Sequence, residues 1–140
     1  MLNRCIFCDI ANGKSNAQII TENEHALAVL DAFPLVQGHA LILSKKHYEK
    51  IQDLNQDELL SVAMLLSKIT VAVEKGAQTN STLIAIHNGK EAGQEIPHLH
   101  IHIVPRRTGD GGGPIHSCFQ HGNTEKNSAE IFQKIKNGLS

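Results

Sequence analysis

Aromatic residues are scarce in this chain: four phenylalanines, one tyrosine and no tryptophan among 140 residues. That scarcity argues against a stacking platform for single-stranded nucleic acid. An excess of one charge is also missing. Lys and Arg total 13 against 14 Asp and Glu, a net charge of -1, so neither nucleic acid nor a membrane surface is expected as a partner. No apolar run approaches the roughly 20 residues that cross a bilayer. Met1-Leu2-Asn3-Arg4 leads straight into Cys5 without a signal-like apolar stretch, which points to the cytoplasm. Cys5, Cys8 and Cys118 are too few for a disulfide framework. The remaining composition, 41% hydrophobic and 19% charged, suits one soluble domain with one core.

The most informative stretch is His98-Leu99-His100-Ile101-His102-Ile103-Val104, which ends at Pro105. Its strict alternation is the period of a β-strand. As a strand it places His98, His100 and His102 on one face, about 7 Å apart, and Leu99, Ile101 and Ile103 on the other. Three imidazoles in phase are costly to bury without a return, so this face is read as a functional site.

The rest of the chain frames that strand. Gln18 to Thr21, Ala26 to Asp31, His39 to Ser44 and Thr82 to His87 read as four further strands. One long helix follows Asn55, an N-cap with Glu58 at capping-box spacing. Its apolar stripe is Leu59, Val62, Ala63, Leu66, Ile69 and Val73, and Gly76 is its expected stop. The glycines from Gly109 to Gly113 exclude a helix or strand interior there. A shorter helix is expected over Ser128 to Lys136, with Ala129, Phe132 and Ile135 inward. This order is α+β, short connections favour antiparallel neighbours, and the open sheet edges make a homodimer plausible. The domain is read as 1–140, with a core of about 4–106, a flexible glycine-rich loop at 109–113 and a C-terminal tail.

Two chemistries suit the histidine face. Neutral imidazoles can divide nucleophilic attack and proton transfer over a phosphorus centre. Gly93 then permits close backbone approach, and Gln94 offers an amide to a phosphate oxygen. Alternatively, His-x-His on a strand can chelate zinc and activate water. Cys5-x-x-Cys8 has the spacing of half a tetrahedral zinc site, although a redox pair or chance gives the same spacing. His47 and one histidine of the row are available to complete a closed Cys2His2 set.

The segment from His87 to Arg106, HNGKEAGQEIPHLHIHIVPR, resembles the signature of the histidine triad (HIT) family, in particular its small zinc-binding bacterial and archaeal branch. Asp31 followed by Gly38-His39 and then Lys45-Lys46-His47 matches the same layout. The resemblance implies a HIT-like fold with a five-stranded antiparallel sheet, one long helix and a homodimer. It implies cleavage at the α-phosphate of purine nucleotide conjugates through a nucleotidyl-histidine, by a phosphoramidase or a dinucleoside polyphosphate hydrolase. A nucleotide-binding protein with little turnover is the remaining reading. By that likeness His100 is the nucleophile, His102 its partner at the leaving group, and His39 their support. Asp31 is the ribose carboxylate. Ile6, Phe7 and Ile10, with Val29 a weaker candidate, wall the base pocket. Gln94 and Gly93 serve the phosphate. Cys5, Cys8, His47 and His98 correspond to a structural zinc site. His87 stands where the family commonly has asparagine, and is expected to touch ribose or phosphate.

Overall fold

The computed structural model describes residues 4–122 and 125–139. In chain order these form α1 (Ile6–Ala11), β1 (Ile19–Glu22), β2 (Ala26–Leu30), β3 (Ala40–Ser44), α2 (Gln56–Ala77), β4 (Thr82–Ala85), β5 (His100–Pro105) and α3 (Ala129–Asn137). The chain divides into two compact units, Met1–Asp110 and Gly111–Ser140. The first holds all five strands, in the order β1-β2-β3-β5-β4 with every neighbour antiparallel. The expected α+β architecture is therefore present. Among the described residues, no helix is long and apolar enough to cross a membrane.

Strand alternation divides the core into two layers. Ala26, Ala28, Ala40, Ile42, Ile101 and Ile103 face α2, which seats Val62, Leu65, Ile69 and Val73 against them. The three alanines keep that face shallow, so the helix lies close to the sheet. Leu27, Val29, Leu41 and Leu43 point the other way, toward Phe7 and Ile10 of α1. Ladder pairs Leu43↔His100 and Leu41↔His102 put both histidines on this second face. Each large apolar side chain buried here contributes roughly 1.5–3 kcal/mol, so the register is strongly held. A slip of one residue would turn the histidines into the α2 core.

The ladder of β5 begins at His100, not at His98 as the alternation alone suggests. His98 precedes it in a bend, and the Leu99 N–H donates to the Tyr48 carbonyl at 2.6 Å instead of to a strand. Facing is nonetheless preserved, because Leu99 joins the α2 layer and the His98 ring meets Phe7 edge-on.

Three helix expectations are corrected. Helix α2 has the anticipated Asn55–Glu58 capping box, with both bonds at 2.9 Å. It runs through Gly76 to Ala77, and Gln78 takes the left-handed position at φ 55°. Its buried stripe is Glu58, Val62, Leu65, Ile69 and Val73; Leu59 and Ala63 are exposed. Glu58 can sit inward because Tyr48 Oη–H and the Asn55 N–H both donate to its carboxylate. Ser128 Oγ caps α3 by accepting from Ile131 N–H, yet Ala129, Phe132 and Ile135 are exposed, as is every described residue of the second unit. Helix α1 carries no sequence periodicity because it is only six residues long. Its cap is the Cys5 sulfur, which accepts from the Cys8 N–H.

Candidate active site and metal cluster

Helix α1 covers only part of the second sheet face. Beside it lies a cavity of about 820 Å³. Ile6, Phe7, Ile10, Val29, Leu41 and Ile96 form its apolar wall; Asp31, His39, His87, Gly93, His100 and His102 line the rest. The structure thus gathers into one cavity nearly all the residues singled out for nucleotide chemistry.

Backbone partners settle which nitrogen of each imidazole carries the proton. His100 Nδ1 donates to the His98 carbonyl at 2.7 Å, which puts the lone pair of the neutral ring on Nε2. The Leu35 N–H donates to His39 Nδ1 at 3.1 Å, so the His39 proton is on Nε2. That N–H faces His102 Nδ1 at 2.9 Å, and His102 therefore carries its own proton on Nε2. Side by side, with ring centroids 5.1 Å apart, stand one imidazole with an electron pair to give and one with a proton to donate.

Asp31, His39 and His102 bring three potential ligand atoms within 4.8 Å of one another. They do not suit a metal. Coordination at His39 Nε2 would require its proton to move to Nδ1, where the Leu35 N–H already points. The hydrogen bonds instead run from the Leu35 N–H through His39 to His102, with Asp31 alongside. Asp31 Oδ2 lies 3.5 Å from His39 Nε2, and its Oδ1 accepts from the Phe33 N–H at 2.9 Å.

Burial pushes the imidazoles toward neutrality. His102 is brought down to about 4, first by desolvation and then by His100, His39 and His87, with Asp31 opposing. Desolvation also lowers His39, against the pull of Asp31. Both are neutral at pH 7, as hydrogen bonding between them requires.

Cys5, Cys8, His47 and His98 form a second cluster, their ligand atoms again within 4.8 Å. Here the protons favour a metal. His98 Nε2 donates to the Ser44 carbonyl at 2.7 Å, so the Nδ1 lone pair faces Cys5 Sγ at 3.3 Å and Cys8 Sγ at 3.5 Å. His47 Nδ1 lies 3.3 Å from Cys8 Sγ. A tetrahedral ion with bonds of about 2.3 Å to sulfur and 2.05 Å to nitrogen has S···N edges of about 3.6 Å, close to these spacings. Without a cation, burial and then Cys5 push the Cys8 thiol up to about 11. Two adjacent thiolates call for a positive ion, and two thiolates with two imidazoles are the ligands zinc prefers.

Gln94 differs from its expected role. It is buried, its Oε1 accepts from the Gly89 N–H at 2.8 Å, and its Nε2 donates to the Glu49 carbonyl at 2.8 Å. It braces the β4–β5 connection beneath the cavity, and Gly93 and Glu95 are its neighbours in the wall. Three partners had no sequence signal, because the Leu35 N–H and the Ser44 and His98 carbonyls are backbone groups. Glu95, inside the histidine segment, has no spacing or residue pattern that marks it.

Residues 12–109 match the HIT domain, a span that includes the complete histidine pair and both flanking ladders. The chain belongs to the HIT family. It is 45% identical over 107 residues to an uncharacterized HIT-like protein of Methanocaldococcus jannaschii, covering 76% of this chain and 82% of that one. It is 35% identical over 138 residues to the adenylylsulfatase HINT3 of Arabidopsis thaliana, covering 98% and 70% respectively. Among solved structures, a zinc-bound HIT protein of Mycobacterium smegmatis superposes with a TM-score of 0.70 at 36% identity, covering 76% of this chain and 78% of that one. The fold of this HIT protein is therefore similar to that of a zinc-bound relative.

Proposed function

We propose that this HIT protein is a nucleotide phosphoramidase that hydrolyses purine nucleotide conjugates at the α-phosphate, through a nucleotidyl group carried on His100. One observation carries the reading: backbone bonds leave His100 Nε2 without a proton and His102 Nε2 with one, side by side in a cavity with an apolar wall. The similarity to a protein named an adenylylsulfatase supports an adenylyl phosphorus as the reacting centre.

The base lies against Ile6, Phe7 and Ile10, and the ribose hydroxyls donate to Asp31. The leaving nitrogen takes up a proton from solvent; the His100 Nε2 lone pair then forms a bond to the α-phosphorus while the bond to that nitrogen breaks, its electron pair departing with the neutral amine. His102 Nε2–H hydrogen-bonds that nitrogen, and His39 fixes the His102 ring for the task. His100 keeps its Nδ1 proton on the His98 carbonyl, which stabilises the positive ring formed on attack. Water then attacks phosphorus, the P–N bond to His100 breaks, and the lone pair returns to Nε2. Over the cycle one water is consumed: its oxygen stays on the nucleoside monophosphate, and both its protons leave on the ammonium product.

Cys5, Cys8, His47 and His98 would hold one zinc ion. A closed four-ligand set of this kind supplies structural clamping and no water activation. It would tie α1, which carries Phe7 and Ile10, to the His98 segment that precedes the nucleophile. A homodimer is part of the reading. The sheet ends in an open edge at β4, where Ile84 is 45% exposed. Equilibrium sedimentation tests that assembly.

The chemistry is tested by quenching the protein during turnover of adenosine 5′-phosphoramidate and measuring its intact mass. The expected result is a gain of one adenylyl group, mapped to His100. The His100→Ala protein is expected to lose activity by at least about 10³-fold. Undiminished turnover in that variant, or an adduct on another side chain, overturns the assignment.

A further inference from the structure

The charge inside the cavity is unusual for a site that handles phosphate. Among the described residues its wall contains no lysine and no arginine. It contains two carboxylates, Asp31 and Glu95, and the histidines His39, His87, His100 and His102. Of these, His39 and His102 are held neutral by burial. A leaving group that departs as a polyphosphate carries several negative charges and finds no fixed positive charge to receive it.

The two carboxylates differ in their engagement. Asp31 accepts from the Phe33 N–H and faces His39. Glu95 is exposed to the cavity, and no described residue pairs with its carboxylate. They also come from different parts of the chain. Asp31 follows β2, beside the start of β3, where Ala40 pairs with Ile103 in the second half of β5. Glu95 lies five residues before His100, in the connection that enters β5 at its other end. With the ribose held at Asp31 and the phosphorus at His100, Glu95 is the cavity carboxylate left for the departing group.

We propose that Glu95 is the specificity-determining residue of the leaving-group subsite, selecting conjugates whose departing amine carries a second, positively charged group and excluding those that leave as polyanions. The inference rests on the phosphoramidase reading for the position of the phosphorus, and adds to it a rule about the charge of the departing group. An ammonium borne a few bonds beyond the scissile nitrogen pairs with the Glu95 carboxylate. His87 is exposed just past β4, with its ring 5.5 Å from that of His102.

The test uses three adenosine 5′-phosphoramidates of matched chain length, whose amines end in an ammonium, a methyl or a carboxylate group. For the wild-type protein kcat/KM is expected to fall in that order. The ammonium-to-methyl ratio should be roughly threefold or more, the size of a solvent-accessible ion pair. Glu95→Gln brings that ratio to about one, and Glu95→Lys inverts it in favour of the carboxylate. An unchanged ratio in Glu95→Gln, or no preference in the wild type, overturns the proposal. The same three conjugates are titrated calorimetrically into the His100→Ala protein, which reads charge preference by affinity alone. If the wild type turns over none of them, the reaction reading fails, and the charge rule is judged on that affinity order. Equal affinities there overturn it.

Discussion

His39 Nε2 and His102 Nδ1 lie 2.9 Å apart, and the Leu35 N–H behind His39 decides which of them holds the shared proton. A main-chain donor in the loop before β3 thereby sets the protonation pattern of a histidine on β5. If His39 is lost, the His102 ring can protonate on either nitrogen and turn. His39→Ala is expected to lower kcat by about ten- to a hundredfold, short of the roughly 10²- to 10⁴-fold contribution of a general acid itself. Nucleotide affinity should change little. His39→Gln, whose amide can present an N–H near the same point, should recover part of the loss. Imidazole nitrogen NMR checks the cause directly: wild-type His102 should carry its proton on Nε2, and the alanine variant should show both tautomers.

The pH dependence of stability follows from the same burial. His102 titrates at about 4 in the folded chain, against an ordinary value of 6.5. Between these values the unfolded chain binds more protons than the folded one, so stability rises with pH. The contribution is complete above about 6.5 and is lost as the pH falls toward 4. His39 is lowered in the same direction. Urea midpoints measured from pH 7 to pH 4.5 should fall steadily, and His102→Gln should flatten the slope. An equal slope in the variant would show that His102 is not the group responsible.

Much of this arrangement was legible in the sequence, because it rests on period and spacing. The alternation from Leu99 to Ile103 assigned each side chain to the correct face, although the ladder itself starts only at His100. Cys5, Cys8, His47 and His98 converge as the family layout implied. What stayed hidden depends on main-chain atoms. Neither the Leu35 N–H nor the Ser44 carbonyl has a residue type that marks it, yet these two groups orient His39 toward His102 and turn the His98 lone pair toward the two cysteines. Gln94 shows the converse. Its residue type suggested phosphate contact, but tertiary folding spends its amide on Gly89 and Glu49.

Removing the metal should separate the two clusters. Metal analysis of the purified protein is expected to give one zinc per chain, absent in Cys8→Ser and retained in a His100→Ala/His102→Ala double variant. Loss of the ion frees α1 from the sheet. The melting temperature should then drop by about 10 °C, given that each kcal/mol shifts a chain of this size by a few degrees. Nucleotide affinity should weaken with it, because Phe7 and Ile10 ride on α1. Zinc kept by Cys8→Ser but lost from the double variant would place the metal at the wrong cluster.

The end of α2 offers a gain in stability that follows from a glycine being two residues out of place. Gly76 lies inside the helix, where a Cβ would meet nothing within 4 Å. Gly76→Ala should therefore stabilise the protein by about 0.5–1 kcal/mol through helix propensity and a less flexible unfolded chain. Gln78, by contrast, takes the left-handed C-terminal position at φ 55° with a side chain attached. Its N–H closes the helix on the Lys75 carbonyl whatever the side chain, so Gln78→Gly keeps that bond and relieves backbone strain of about 1 kcal/mol. Chemical denaturation of the two single variants and the double variant tests both points. Each single change is expected to raise the midpoint, and the double variant to exceed either. A destabilised Gly76→Ala would mean that the helix stops at Gly76 after all, as its sequence position first suggested.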